Sequence, residues 1–243
     1  MQENTRFVDA VTDCGKVISF VGAGGKTTLM YFLAATLAAS GKKVLVSTTT
    51  HIYYPRSSEY APDIQQVYNL WNQGNYAVIG APEPDTGKLA APDEDILQQL
   101  ISRADIVLLE SDGAKGYPCK MPREHEPVLH PETDCVIGVF GVSSIGKPLG
   151  EVCFGCKKAM ELLGVGEDRI LTAADATRLF AAGAVKCVEN RRLLLVLNQY
   201  DTNADGAEQM KKYLEEMMLG KVLLTAFSPE EREKIRKRAK GWQ

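Results

Sequence analysis

The sequence predicts an α/β fold in which a mainly parallel, doubly wound sheet is covered by helices on both faces, and three observations carry that expectation. Short β-branched apolar runs alternate with helical stretches along the chain. The runs are continuous rather than alternating in polarity, as strands buried on both faces are. A glycine-rich turn joins the first run to the first helical stretch.

Val17 to Val21 reads as the first strand, Thr27 to Ala39 as a helix and Val44 to Ser47 as the second strand, with Gly41 where a helix C-cap is wanted. That is a βαβ unit. The segment 52–92 departs from the alternation: Pro55, Pro62, Pro82, Pro84 and the Asp85-Thr86-Gly87 turn cut it into pieces such as Ile64 to Val67 and Tyr76 to Ile79. This predicts a small antiparallel insertion or edge hairpin. Ile106 to Leu109, Val136 to Phe140, Leu193 to Leu197 and Val222 to Leu224 read as further strands. Helices are expected over Asp93 to Arg103, Cys156 to Leu163, Ala173 to Ala181 and Ala204 to Met218. A last helix is expected from Ser228, where Ser-Pro-Glu-Glu offers an N-cap, an N1 proline and a Glu at N3. Residues 1–243 are read as one domain.

A formal charge of −3 gives no global basic field, so nucleic-acid binding through phosphate neutralisation is not expected. The locally basic stretch from Arg232 to Lys240 also holds Glu233 and reads as a solvated helix face. No run approaches the roughly 18 apolar residues of a membrane helix, and no secretory succession opens the chain, so a cytoplasmic protein without a membrane span is expected. The six cysteines, Cys14, Cys119, Cys135, Cys153, Cys156 and Cys187, are then expected as thiols. Cys153 and Cys156 have metal-compatible spacing, but no second pair accompanies them, and structural thiols are the favoured reading.

Between the first strand and its helix stands Phe20-Val21-Gly22-Ala23-Gly24-Gly25-Lys26-Thr27-Thr28. In that context Gly22, Ala23, Gly24 and Gly25 let backbone N–H groups converge on a phosphate, aided by the helix N-terminus. Lys26 reaches the outer phosphates, Thr27 supplies a hydroxyl for Mg²⁺, and Thr28 continues the first turn. The general pattern asks for glycine where this chain has Phe20. The loop is expected to be exposed, and with it the fold narrows to a three-layer P-loop NTPase fold.

Such a site needs a carboxylate at a neighbouring strand end to hold the metal. Ile106-Val107-Leu108-Leu109-Glu110-Ser111-Asp112-Gly113 offers two, Glu110 and Asp112, and either serves as a catalytic and metal residue beside Lys26. Lys115, flanked by Gly113 and Gly116, lies in a loop suited to sensing a terminal phosphate. Thr48, Thr49, Thr50 and His51 follow the second strand at the carboxyl edge of the sheet, where open α/β folds bind ligands. With His125 they form a further candidate pocket.

Late in the chain, Asn198-Gln199-Tyr200-Asp201 is similar to the guanine-reading Asn-Lys-x-Asp pattern, with Gln199 in place of lysine. A carboxylate at Asp201 would accept from guanine N1–H and its 2-amino group. The nucleotide is GTP or ATP, with Mg²⁺ as cofactor; an ordinary connecting loop remains the alternative for 198–201.

The chain as a whole resembles the YqeC family, whose members are named as accessory proteins for selenium-dependent molybdenum hydroxylases. The resemblance rests on the Phe20-to-Thr28 loop, on Thr48-Thr49-Thr50-His51, and on Glu110 through Lys115 continuing to Glu124-His125-Glu126-Pro127. It implies a nucleoside triphosphatase acting in selenium-cofactor synthesis or insertion. A client molybdenum or selenium hydroxylase, or its cofactor-assembly proteins, would be the partner, and a homodimer is left open. A small-molecule kinase or cofactor transferase, and a non-catalytic nucleotide-sensing module, stand as alternatives.

Overall fold

The computed structural model describes residues 2–55, 58–185 and 191–239. Cys187 and Lys240 lie outside them. The strands are β1 (Val17–Gly22), β2 (Val44–Thr48), β3 (His51–Tyr53), β4 (Ala77–Val78), β5 (Ala81–Glu83), β6 (Lys88–Ala90), β7 (Ile106–Glu110), β8 (Cys119–Lys120), β9 (Cys135–Gly141), β10 (Cys153–Phe154), β11 (Arg192–Asn198) and β12 (Lys221–Thr225). The helices are α1 (Gln2–Thr12), α2 (Lys26–Ala39), α3 (Ile64–Asn72), α4 (Glu94–Arg103), α5 (Leu149–Val152), α6 (Cys156–Leu163), α7 (Ala173–Val185), α8 (Ala204–Glu216) and α9 (Pro229–Ala239).

Seven strands form the central sheet in the order β12-β11-β9-β1-β7-β2-β4. Every pairing within it is parallel. Alternate residues of each strand feed different faces, and all five residues of β2 and of β7 are buried. One face packs Ile18, Phe20, Val46 and Val196 against α1, α2 and α9. The other packs Leu195 and Leu197 against α7 and α8, and Leu45 and Leu109 against α3 and α4. This is the expected α/β three-layer arrangement. β1 lies between β7 and β9, so the carboxyl ends of these three strands meet where the chain leaves β1 toward α2.

The segment 52–92 divides in a way the proline pattern did not anticipate. Its antiparallel part exists: β3, β6 and β5 form a separate three-stranded sheet closed by the turn at Asp85 to Gly87. Ile64 to Val67, however, opens a helix, and β4 joins the main sheet parallel to β2 through Leu45↔Ala77 and Val46↔Val78. The reason is local. Asp63 caps α3 by accepting from Gln66 N–H at 2.8 Å, and Val67, Leu70 and Trp71 then fall on one buried face. Trp71 Nε1 donates to Val44 O at 2.9 Å and fixes that helix to the sheet edge.

α1 was not anticipated either. Its Phe7 and Val11 are fully buried, and Asn4 bonds both ways with the backbone of Ala226, donating to its oxygen at 2.7 Å and accepting from its nitrogen at 3.3 Å. At α9 the expected capping box is formed: Glu231 N donates to Ser228 Oγ at 3.1 Å, and Ser228 N to Glu231 Oε2 at 2.7 Å.

A second box opens α7. Thr172 Oγ1 accepts from Asp175 N at 3.1 Å, while Asp175 Oδ2 accepts from Thr172 N at 3.2 Å and Arg169 Nε at 3.0 Å. Burial raises the Asp175 pKa, but Thr172 and Arg169 outweigh it and hold the carboxyl below its ordinary value. A carboxylate with a depressed folded pKa stabilises above its unfolded pKa, and that stability is lost as pH falls through the folded value. Asp175→Asn is therefore expected to cost about 1 kcal/mol at neutral pH. In melting curves the gap to wild type should close as the solution is acidified below the carboxylate range; a gap independent of pH would contradict the assignment.

Candidate nucleotide site

The loop between β1 and α2 is built by close backbone approach. Gly24, at φ +82°, packs so tightly on the end of β9 that a Cβ there would lie 2.1 Å from Gly141 N. Gly25, at φ +109°, is the N-cap of α2, and a Cβ on it would meet Asn198 Nδ2 at 2.6 Å. Only glycine fits either position. Beyond Gly25 the first backbone N–H groups of α2, at Lys26, Thr27 and Thr28, have no carbonyl within the helix to bond. They are the anion-binding end of its dipole.

Asn198 braces this loop from the side. Its Nδ2 donates to Gly24 O at 2.8 Å, and Thr225 Oγ1 donates to its Oδ1 at 3.0 Å. Two neighbouring strand ends are thereby tied to the phosphate loop. From the other side, Ala23 N donates to Val139 O at 2.9 Å and Gly24 N to Tyr117 O at 3.1 Å.

The two candidate carboxylates separate cleanly. Glu110 Oε2 accepts from Thr27 Oγ1 at 2.7 Å, which joins the two oxygen ligands expected of a Mg²⁺ site. Thr48 Oγ1 and Thr49 N both donate to Glu110 O, at 2.7 and 3.2 Å, so β2 positions the carboxylate-bearing end of β7. Thr50 is half-buried and its N–H donates to Thr48 Oγ1 at 2.9 Å. Burial pushes the Glu110 carboxyl above its ordinary range, opposed by Lys26 and Thr27.

Asp112 does not stand with Thr27. Its carboxylate lies 3.0 Å from Lys26 Nζ and 2.9 Å from Lys120 Nζ, and accepts from Gly22 N at 2.9 and 3.1 Å. Lys26 also donates to Gly22 O at 2.6 Å. Burial lowers the Lys26 pKa, but Asp112 and then Glu110 outweigh it, and the ammonium stays above its ordinary value. Lys26 is only 4% exposed, so the expectation of an exposed loop gives way to a buried one. Lys120 is the residue sequence reading missed. It sits between Pro118 and Pro122 with Cys119 and Met121 beside it, and a lone lysine in so apolar and proline-bounded a stretch is the signal that was there to be read.

The remaining candidates lie farther out. Lys115 is exposed, with Nζ 5.9 Å from the Phe154 ring centre, and His125 is exposed. His51 faces Glu83 of β5 at 3.1 Å and is half exposed. The structure thus joins Thr48 to Glu110 and leaves His51 in the antiparallel sheet. Asp201 lies in the turn after β11 and pairs with Arg232 at 2.7 Å, while Gln199 Oε1 accepts from Ser143 Oγ at 2.6 Å. Cys153 pairs not with Cys156 but with Cys119 across β8 and β10, Sγ to Sγ 3.6 Å. That thiol hydrogen bond holds Cys153 below the ordinary cysteine value and, with burial, Cys119 well above it.

Among the described residues no three His, Cys, Asp or Glu side chains are gathered to hold a metal by themselves. Mg²⁺ characteristically takes one or two protein oxygens and completes its shell with phosphate and water, so the hard oxygen pair of Thr27 and Glu110 fits it. Among the same residues no helix is long and apolar enough to cross a membrane.

Comparison with known proteins places the chain by sequence. The profile of the family described as "YqeC protein" matches residues 18–157. The Escherichia coli (strain K12) protein named "Uncharacterized protein YqeC" is 31% identical over 181 residues, covering 67% of this chain and 66% of that protein, just under two thirds of its length. Among solved structures, the hydrogenase maturation factor HypB from Archaeoglobus fulgidus aligns over 96% of this chain and 94% of its own, at 12% identity and TM-score 0.42. The MinC:MinD cell division complex of Aquifex aeolicus aligns over 91% and 86%, at 15% and 0.46. Chloroplast FtsY of Physcomitrella patens aligns over 96% and 72%, at 14% and 0.46. The strand order and the phosphate loop carry the fold without them, and the loop with Thr48 to His51 and Glu110 to Pro127 all falls inside the matched stretch: the chain belongs to the YqeC protein family.

Proposed function

We propose that this protein is a Mg²⁺-dependent nucleoside triphosphatase whose phosphate site is the loop from Gly22 to Thr28. The observation that supports it most is the conjunction at the head of α2: Thr27 bonded to Glu110 at 2.7 Å, beside a buried Lys26 and first-turn N–H groups open toward an anion. Lys26 and those N–H groups bind and orient the phosphates, and Asn198 holds the loop in shape from behind. Thr27 and Glu110 would hold Mg²⁺, which when bound neutralises charge on the outer phosphate oxygens. Chemistry of this kind is mostly positioning and charge stabilisation, so slow turnover without a partner is expected.

Glu110→Gln tests the proposal. It keeps an acceptor for Thr27 and removes the charge, and is expected to lower Mg²⁺-dependent hydrolysis by about 100-fold or more while much of the nucleotide binding remains. Phosphate release at the wild-type rate would show that the metal is held elsewhere.

The base is the finer question. Asp201 is the candidate guanine reader, and a GTP preference of roughly tenfold, about 1.4 kcal/mol, is expected in the absence of the lysine that Gln199 replaces. Asp201→Asn is expected to shift preference toward xanthosine triphosphate. The exposed pair with Arg232 is worth little to stability, so the variant should fold. Equal affinities for GTP and ATP, unaltered in the variant, would reduce residues 198–201 to a connection.

We read the cellular role as that of a cytoplasmic accessory factor, one nucleotide-binding domain that serves a selenium-dependent molybdenum hydroxylase in cofactor synthesis or insertion. Its support is the family resemblance. Recovery of a hydroxylase or cofactor-assembly protein with the nucleotide-loaded form, by mass spectrometry and elemental analysis, tests it.

A further inference from the structure

Asp112 and Lys120 remain unexplained by the triphosphatase reading, and they are the most deeply buried charges at the mouth of the loop. The Asp112 side chain is 2% exposed and that of Lys120 1%. Three donors converge on one carboxylate: Gly22 N–H, Lys26 Nζ and Lys120 Nζ. A phosphate presents the same kind of charged, multiply accepting oxygens that a carboxylate does, and these donors suit either.

Position says which phosphate. The N–H groups at the head of α2 cradle the inner phosphates, and Lys26 reaches outward from there. Asp112 follows the end of β7 and holds Lys26 Nζ, the group that reaches outward, at 3.0 Å, so an anion that takes its place is the one Lys26 binds. Lys120 is held ready independently of Asp112: it also donates to Glu126 Oε2 at 2.7 Å and Gly113 O at 2.6 Å, and its Nζ lies 5.7 Å from the Phe154 ring centre. When Asp112 withdraws, those contacts keep the ammonium in place.

We propose that Gly22 N–H, Lys26 and Lys120 form one oxyanion pocket for the terminal phosphate of a nucleoside triphosphate, with Lys120 as its second binding lysine and Asp112 as an internal anion that the phosphate displaces. The inference rests on the phosphate-loop reading above. Without Asp112 the buried Lys26 loses its ion-pair partner at 3.0 Å and Lys120 keeps Glu126 alone, so departure of Asp112 is favoured by arrival of another anion. The pocket therefore discriminates triphosphate, which reaches it, from diphosphate, which does not. Displacement of Asp112 also transmits the presence of the terminal phosphate to the 112–117 loop.

The experiment titrates wild type, Asp112→Asn, Lys120→Gln and Lys120→Arg with Mg²⁺ and two probes, the β,γ-imido triphosphate of the better-binding purine and its diphosphate. Asp112→Asn removes the competitor and is expected to bind the triphosphate analogue about tenfold more tightly, with the diphosphate changed by less than about threefold. Lys120→Gln is expected to weaken the triphosphate analogue about tenfold and spare the diphosphate, with Lys120→Arg, which keeps the charge, losing less. A gain of affinity in Asp112→Asn cannot come from a damaged fold, so that arm decides even where Lys120→Gln melts early. Triphosphate binding no tighter in Asp112→Asn, or equal losses for both nucleotides in Lys120→Gln, overturns the pocket while the phosphate loop stands. Failure of wild type and Asp112→Asn alike to bind either probe removes the phosphate-loop reading and this inference with it.

Discussion

Lys26→Ala should abolish measurable triphosphate binding. The loss is expected to reach about 100-fold or more, near 3 kcal/mol, because a charge-assisted contact in a buried, low-dielectric setting is removed. The protein should still fold. Truncation leaves Asp112 with Gly22 N–H and Lys120, so no buried carboxylate is stranded. Unchanged affinity in a folded Lys26→Ala protein, measured by calorimetric titration, would sink the phosphate-loop assignment.

Gly24→Ala is the change with the largest expected effect on stability. Its Cβ would need to occupy space 2.1 Å from Gly141 N and 2.4 Å from Gly141 Cα, at a φ of +82°. Both obstacles are backbone, so relief requires moving the end of β9 away from the loop. A cost of about 3 kcal/mol or more is expected, a fall of roughly 6–12 °C in Tm for a chain of this size. Gly166→Ala is the control, since nothing lies within 4 Å of its added carbon and its φ is unstrained. Equal melting of the two variants would contradict the packing described for the loop.

Much of this was legible in the sequence. Strands buried on both faces wrote themselves as continuous apolar runs, and the expected strands from Val17 through Val222 recur as strands with ends shifted by a residue. Gly-Lys-Thr-Thr at a strand-to-helix junction identified the head of α2 because glycine and cation are both required there. Legibility failed where short segments take their state from neighbours. Ile64 to Val67 is too brief for periodicity to tell helix from strand, and the Asp63 cap and Trp71 anchor decide it in the fold.

The site was legible by residue type and not by pairing. Spacing alone offered Glu110 and Asp112 as equals; β2 and Thr27 engage one of them, and two lysines the other. Lys120, marked by its apolar, proline-bounded stretch, reaches Asp112 because β8 returns beside the end of β7, and that pairing is not written in the local pattern. Asn198 was expected to read a base; its amide also braces the loop, with Nδ2 donating to Gly24 O and Oδ1 accepting from Thr225 Oγ1, a tie that no local pattern shows.

Whether a Mg²⁺-bound nucleoside triphosphate occupies the Gly22 to Thr28 loop is decided by titrating wild-type protein with GTP and with ATP, each with and without Mg²⁺. Saturable binding of at least one triphosphate is expected, strengthened by Mg²⁺, competed by its diphosphate, and accompanied by a rise in Tm that follows ligand concentration. Neither triphosphate binding, nor any rise in Tm with Mg²⁺ present, would contradict it.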